Sequence, residues 1–226
     1  MVGISESRKG SVSLELYNRV GDAAIDTFTP GDHLLGIVQR VVASRTDKRV
    51  VLPGKGEVVI LPDRGVYSAN VQDMAEFCSA PSAQFITMAC GEDAPDYSSS
   101  GRIINELLWN AAFHASQGRL IEGCSLRDFV QFRHWPNLTR LPVTPNTARI
   151  CALLTRRRTV IAMVHQHLAI NNEEVCQIYS AAYCAGISNA INSALAKFKI
   201  GADDPRLAPE RKHSLFRSLF GKIAGL

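Results

Sequence analysis

Polar and apolar positions change rhythm several times along the chain, and each change predicts an element. In TPGDHLLGIVQRVVASR, Leu34, Leu35, Val38, Val41 and Val42 recur at helical spacing. Thr29 stands ready to cap that helix, with Pro30 at its first position and Asp32 reaching back. The rhythm then drops to two. KRVVL, GEVVIL and GVYSA are rich in β-branched residues and are separated by Pro53-Gly54 and Asp63-Arg64-Gly65. Glycine admits the positive φ that such tight turns need, so these segments read as strands, the last two as a hairpin. VQDMAEFC reads as a short helix, SAQFITMAC as a further strand, and SVSLELYNRV near the start as one more. A striped helix and a one-faced sheet hide each other's apolar surface, which predicts a small α+β layer.

At EDAPDYSSSG the apolar rhythm disappears, and residues 93–101 are expected to link two modules. Beyond them RIINELLWNAAFHASQG presents Ile103, Ile104, Leu107, Leu108, Ala111, Ala112 and Ala115 on one helical face, with Gly118 as the stop. RLIEGCSLRDFVQFRHWPNLTRLPV is irregular, yet Phe129, Phe132 and Trp135 predict that it packs. Three short helices follow. Thr144-Pro145 opens the first, with Ile150, Leu153 and Leu154 inward; Thr159 caps the second, with Ile161, Val164 and Leu168 inward. Asn171 and Glu174 form a capping box for the third, where Val175, Ile178, Tyr179, Ala182 and Tyr183 keep helical rhythm up to Gly186. Three helices with a tight turn between the last two have helix-turn-helix form. ISNAINSALAKFKIG after Gly186 also reads as helical. The predicted fold class is therefore α+β, divided into an α+β module over residues 1–92, a linker, a mainly helical module over 102–200 and a tail over 201–226.

Drawn as a helix, the tail PERKHSLFRSLFGKIAGL gathers Leu215, Phe216, Leu219, Phe220, Ile223 and Leu226 within an arc of about 140°. Arg217, Ser218 and Lys222 flank that arc. Leu215, Phe216, Leu219, Phe220 and Ile223 are thus candidate partner-binding residues, for a groove on another protein or an anionic membrane surface. Docking on the protein's own core is the plainer alternative, and Gly221 and Gly225 each lower helicity by about 1 kcal/mol.

Composition narrows the class. With 226 residues, 46% apolar and 20% charged, the chain is an ordinary globular one. No apolar run approaches the roughly 20 residues that cross a bilayer. MVGISESRKGSVSLEL lacks a secretory signal's apolar stretch, so a cytoplasmic location is expected. The net charge of +4 permits an anionic partner without demanding one, and the basic excess falls late in the chain. Arg156, Arg157 and Arg158 are the candidate anionic-surface contacts. Yet the third helix begins Asn171-Asn172-Glu173-Glu174 and holds no Lys or Arg, so phosphates would repel it. Duplex DNA is therefore disfavoured relative to a protein partner.

Chemistry-bearing patterns are few. The six cysteines form no C-x-x-C and read as reduced, buried thiols. Cys124 and His134 are the nearest approach to a zinc pair, short of the close ligand spacing such a site uses. His165 and His167 point about 200° apart on a helix. G-x-S-x-G, H-E-x-x-H and P-loop motifs are absent, and Gly54-Lys55-Gly56 opens no helix. Phe129, Phe132 and Trp135 with Arg133 and His134 between them offer a single-strand nucleic-acid platform or, more simply, core and rim. No catalytic residue, cofactor or metal is expected.

FTPGDHLLGIVQRVVASRTDKRVVLPGKGEVVILPDRGVYSA resembles the helix-then-hairpin module of bacterial PatA-type signalling proteins. From NELLW through RICALLTRRRTVIAMVHQHLAINNEEVCQIYSAAYCAGI the chain resembles the winged-helix-like domain of the same kinds of protein, and the two stretches span about two thirds of it. The resemblance implies a winged-helix-like second module and a non-catalytic adaptor in motility, pilus or polarity control. It implies a protein partner, such as a small GTPase or another signalling component. Two features depart from the pattern: the 28 residues ahead of the module are too few for a receiver domain, and the segment after Gly186 reads as helix where a wing would be a hairpin. A DNA-binding transcription regulator using the tri-helical unit is the alternative.

Overall fold

The computed structural model describes residues 26–90 and 101–191. Strand β1 (Thr27–Phe28) leads through a 3-10 turn at Pro30–Asp32 into helix α1 (Leu34–Ser44). The α-helix thus begins four residues later than its sequence predicts, and Thr29 makes no side-chain cap. The reason is a fold-back: Gly36 of α1 packs directly on the Pro30-Gly31 backbone. Leu34, Leu35, Ile37, Val38 and Val41 are buried, as the helical stripe requires.

Strands β2 (Lys48–Leu52), β3 (Gly56–Leu61) and β4 (Val66–Val71) form the expected meander. Gly65, at φ +70°, closes the turn between β3 and β4, whose register sets Leu61 opposite Val66. Helix α2 (Met74–Ser79) follows, capped by the Asp73 carboxylate, which accepts from the backbone of Ala75 at 2.8 Å and Glu76 at 3.1 Å. Strand β5 (Ile86–Ala89) then returns to pair with β2, and β6 (Arg102–Ile103) adds to β4. The result is one five-stranded antiparallel sheet in the order β5-β2-β3-β4-β6. Val50, Val58, Ile60 and Tyr67 turn inward from it.

Helix α3 (Ile104–Ser116) differs from the expected one-faced helix. All its residues except Asn105 and His114 are buried, because α1 and α2 cover one side and α6 (below) the other. Trp109 is fully buried and its Nε1 donates to Pro142 O at 3.1 Å. Strand β7 (Leu120–Ile121) runs parallel to β1, and β8 (Phe129–Phe132) lies in the segment read as irregular.

The three short helices are α4 (Thr147–Arg156), α5 (Ile161–Leu168) and α6 (Asn172–Cys184), with β9 (Thr159–Val160) before α5 and β10 (Ser188–Ile191) after α6. Two expected caps change. Thr159 lies in β9 opposite Val130, so it caps nothing. Asn171 does cap α6, accepting from Glu173 N at 3.0 Å, but Glu174 reaches to Asn146 instead of back to Asn171. Residues 188–191, expected as helix, are a strand, because β8 offers them an antiparallel ladder once Gly186 (φ +71°) has ended α6. With β8 these strands make a three-stranded sheet in the order β10-β8-β9, in addition to the two-stranded β1–β7 pair.

The division into modules places its linker at residues 93–101, which apart from Gly101 lie outside the described residues, as do the opening strand SVSLELYNRV and the tail. On the described residues one apolar cluster runs from Phe28 to Ile187 through all three sheets and all six α-helices.

Candidate functional site

Strand β5 forms one edge of the large sheet. Among the described residues, no strand pairs with its outer side. Its register with β2 puts Ile86 opposite Val51 and Met88 opposite Arg49, on the face away from the core. Ile86 is 52% exposed and Met88 42%, and Thr87 and Ala89 on the other face are exposed as well. From Phe85 to Ala89 the strand holds no charge and no proline. At its start lies a cavity of about 350 Å³ lined by Leu52, Pro53, Ala80 and Gln84 and rimmed by the Lys55–Glu76 ion pair at 2.6 Å. Sequence reading found β5 but not its openness, since burial on either face depends on neighbours far along the chain.

A second feature is basic. From Arg127 to Arg158 the chain holds seven arginines, no lysine and one acid, Asp128. Backbone bonds from Ile161 N to Asp128 O (3.2 Å) and Ala162 N to Leu126 O (3.0 Å) lay the strip before β8 alongside the strip after β9. That register sets exposed Arg127 at the other end of the β8–β9 ladder from Arg156, Arg157 and Arg158, all exposed, at the C-terminal end of α4. The Arg158 guanidinium lies 5.1 Å from the centre of the half-buried Phe129 ring. Among the described residues, the Arg156 and Arg157 side chains have no ion-pair or hydrogen-bond partner, while Arg157 N donates to Leu153 O at 3.1 Å. Asp128 is buried, accepts from Ser125 N at 2.9 Å and is pushed above its ordinary value by that burial.

The helix-turn-helix pair is placed differently from a groove reader. Of α6's residues only Glu173 is exposed, and α6 packs along α3 over its whole inner side. Its Ser180 hydroxyl accepts from Ile121 N at 3.1 Å. Trp135 is 49% exposed while Phe132 is buried, which makes the aromatic segment core and rim. Leu215, Phe216, Leu219, Phe220 and Ile223 lie outside the described residues.

Ionisable groups inside the fold serve structure. Glu106, buried, meets Arg102 at 2.7 Å and Arg140 at 3.9 Å, and Arg102 also donates to Arg140 O at 2.9 Å. This clasp ties the sheet edge, α3 and the 133–146 segment together. All six cysteines are free thiols, and burial pushes Cys78 and Cys151 up to about 12 and Cys176 to about 11. Burial also raises Cys184, and raises Tyr179, whose hydroxyl lies 3.6 Å from Cys124 Sγ. Burial lowers His33 and His114. Among the described residues no group of three or more His, Cys, Asp or Glu is arranged to hold a metal ion, and no helix is long and apolar enough to cross a membrane.

No protein-family model, curated protein or solved structure matches the chain.

Proposed function

We propose that this protein is a non-catalytic bacterial adaptor that works in the cytoplasm by recognising a protein partner. The observation that carries the reading is β5. An uncharged, unprotected sheet edge is a template for another strand, and folded proteins ordinarily block such edges with charge, proline or a covering element. Among the described residues, Ile86 and Met88 stand open beside a row of backbone donors and acceptors that no strand uses. An extended segment of a partner adds there by main-chain hydrogen bonds, with specificity from alternate side chains.

The order α4, β9, α5, α6, β10 supports a winged-helix-like unit whose central sheet position is taken by the upstream strand β8. The resemblance to PatA-type proteins extends this to signalling in motility, pilus or polarity control, with a small GTPase or another signalling component as the partner. Thiols held protonated at neutral pH by burial are poor nucleophiles, which favours recognition over catalysis. The alternative, a DNA-binding regulator, needs its third helix in the major groove. Burial of α6 weighs against that.

Ile86→Lys with Met88→Lys tests the reading. The intact chain used as bait in its host should capture a discrete partner, and the double variant should lose at least nine tenths of it with unchanged melting. Undiminished capture sinks the edge-strand role. Duplex affinity in a gel shift, steep in salt and lost on Arg156–Arg158→Ala, favours the regulator.

A further inference from the structure

We infer that β5 pairs with β5 of a second copy of this chain, antiparallel across a two-fold axis at Thr87. The inference rests on the adaptor reading and names what occupies the edge when no partner strand does. Self-pairing then competes with recognition at the same backbone.

The phase of the ladder decides which groups the edge offers. Cys90 N donates to Asp47 O at 3.4 Å, and the register sets Ala89 opposite Lys48 and Met88 opposite Arg49. Hydrogen-bonded and non-hydrogen-bonded positions alternate in an antiparallel pair. Ile86, Met88 and Cys90 therefore turn their backbone groups toward β2, and Phe85, Thr87 and Ala89 turn theirs outward. The Phe85 amide is taken, since it donates to Ser82 O at 3.2 Å. Among the described residues, the Thr87 and Ala89 amides and the Phe85, Thr87 and Ala89 carbonyls remain on the outer side.

Rotation about Thr87 matches this set to itself. Thr87 N of each copy meets Thr87 O of the other, and Ala89 N meets Phe85 O, so every outward amide finds a carbonyl. The same rotation sets Ile86 of each copy opposite Met88 of the other. Those positions are the non-hydrogen-bonded ones, where opposing Cα atoms approach to about 4.5 Å and side chains pack closest. The two residues left 52% and 42% exposed thus cover each other's copies. Charge permits the match. A two-fold contact brings any central charge against its own duplicate, and Phe85 to Ala89 carries none. Arg49, the cation opposite Met88 on β2, is paired with Glu57 on β3 at 3.4 Å, on the side away from the edge. Five paired residues extend only about 17 Å. That is small beside the roughly 1,200–2,000 Å² of a stable complex, so the dimer is weak and yields to dilution or to a partner strand.

The test is sedimentation velocity of the full chain from micromolar to millimolar concentration, with a cross-link that reads the register. A concentration-dependent shift from monomer to dimer is expected, and Ile86→Lys with Met88→Lys should weaken dimerisation at least tenfold at unchanged melting temperature. Under mild oxidation, Ile86→Cys protein mixed with Met88→Cys protein should give a disulfide-linked pair in a yield that neither variant nor wild type reaches alone. A monomer at every concentration overturns the inference, whether the edge stays open or is held by residues 1–25 or 192–226. A dimer that ignores the lysine pair, or gives no mixed cross-link, overturns it as well. Monomeric protein whose partner capture still depends on Ile86 and Met88 removes self-pairing and leaves the adaptor reading standing. A cross-linking dimer whose capture is undiminished by the lysine pair does the reverse.

Discussion

Gly36 sits where α1 passes over the 3-10 turn: a Cβ there would lie 2.6 Å from Pro30 O and 2.7 Å from Gly31 Cα. Both are backbone atoms, so the conflict is not relieved by a side-chain rotation. Gly36→Ala gains about 1 kcal/mol of helix propensity and meets an overpacking cost of about 1–3 kcal/mol. A lower urea midpoint is expected; an unchanged one would mean that the Pro30 turn yields. Glu174 makes a different single-residue contribution. Burial pushes its carboxyl up, but hydrogen bonds from the Thr144 and Asn146 side chains and the Asn146 backbone, with the Arg149 charge, outweigh that and hold it below its ordinary 4.5. The unfolded chain therefore takes up this proton more readily. The stability Glu174 supplies is complete above pH 4.5 and is lost as pH falls through the lowered value. Glu174→Gln should be less stable than wild type at neutral pH, the gap narrowing on acidification in pH-resolved denaturation curves. A constant gap would assign the effect to packing.

Whole elements reveal what could be seen in the sequence and what could not. The β2–β3–β4 meander and α1's stripe were legible because period and turn chemistry are local: Gly65 is required by its own φ, and Val50, Val58 and Ile60 alternate inward. The Asp73 cap, which the sequence reading did not name, is equally local, reaching forward only two and three residues. Misreadings arose where a distant partner decided. Thr159 looked like a cap but answers to Val130, Glu174 answers to Asn146, and Ser188–Ile191 answer to β8. The same cause hid the candidate site. Arg156–Arg158 were visible as a run, whereas β5's openness is a property of the assembled sheet. Because Ile86 and Met88 point away from the core, their replacement by lysine should move stability by no more than about 0.5 kcal/mol, which makes their effect on partner capture interpretable.

At the scale of the molecule, α3 decides cooperativity. It is buried between α1 and α2 on one side and α6 on the other, and the Glu106 clasp fastens its first turn to Arg102 and Arg140. Removing it would bare Leu35, Val38 and Phe77 as well as Ile178 and Ala182, all now fully buried. The full chain is expected to unfold in a single urea transition, seen alike by tryptophan fluorescence and far-ultraviolet circular dichroism. Residues 1–92 expressed alone should show no cooperative transition. Two separable transitions, or a folded 1–92 fragment, would establish independent modules.

The parallel pairing of β1 with β7 has a consequence for synthesis. Thr27 and Phe28 leave the ribosome before α3, yet the strand that receives them follows α3, and the helix that braces that strand through Ser180 comes later still. A nascent chain must therefore carry its first hairpins with an unsealed interior until nearly all of α6 has emerged. Translation speed over that interval governs how long this unsealed interior is offered to other nascent chains.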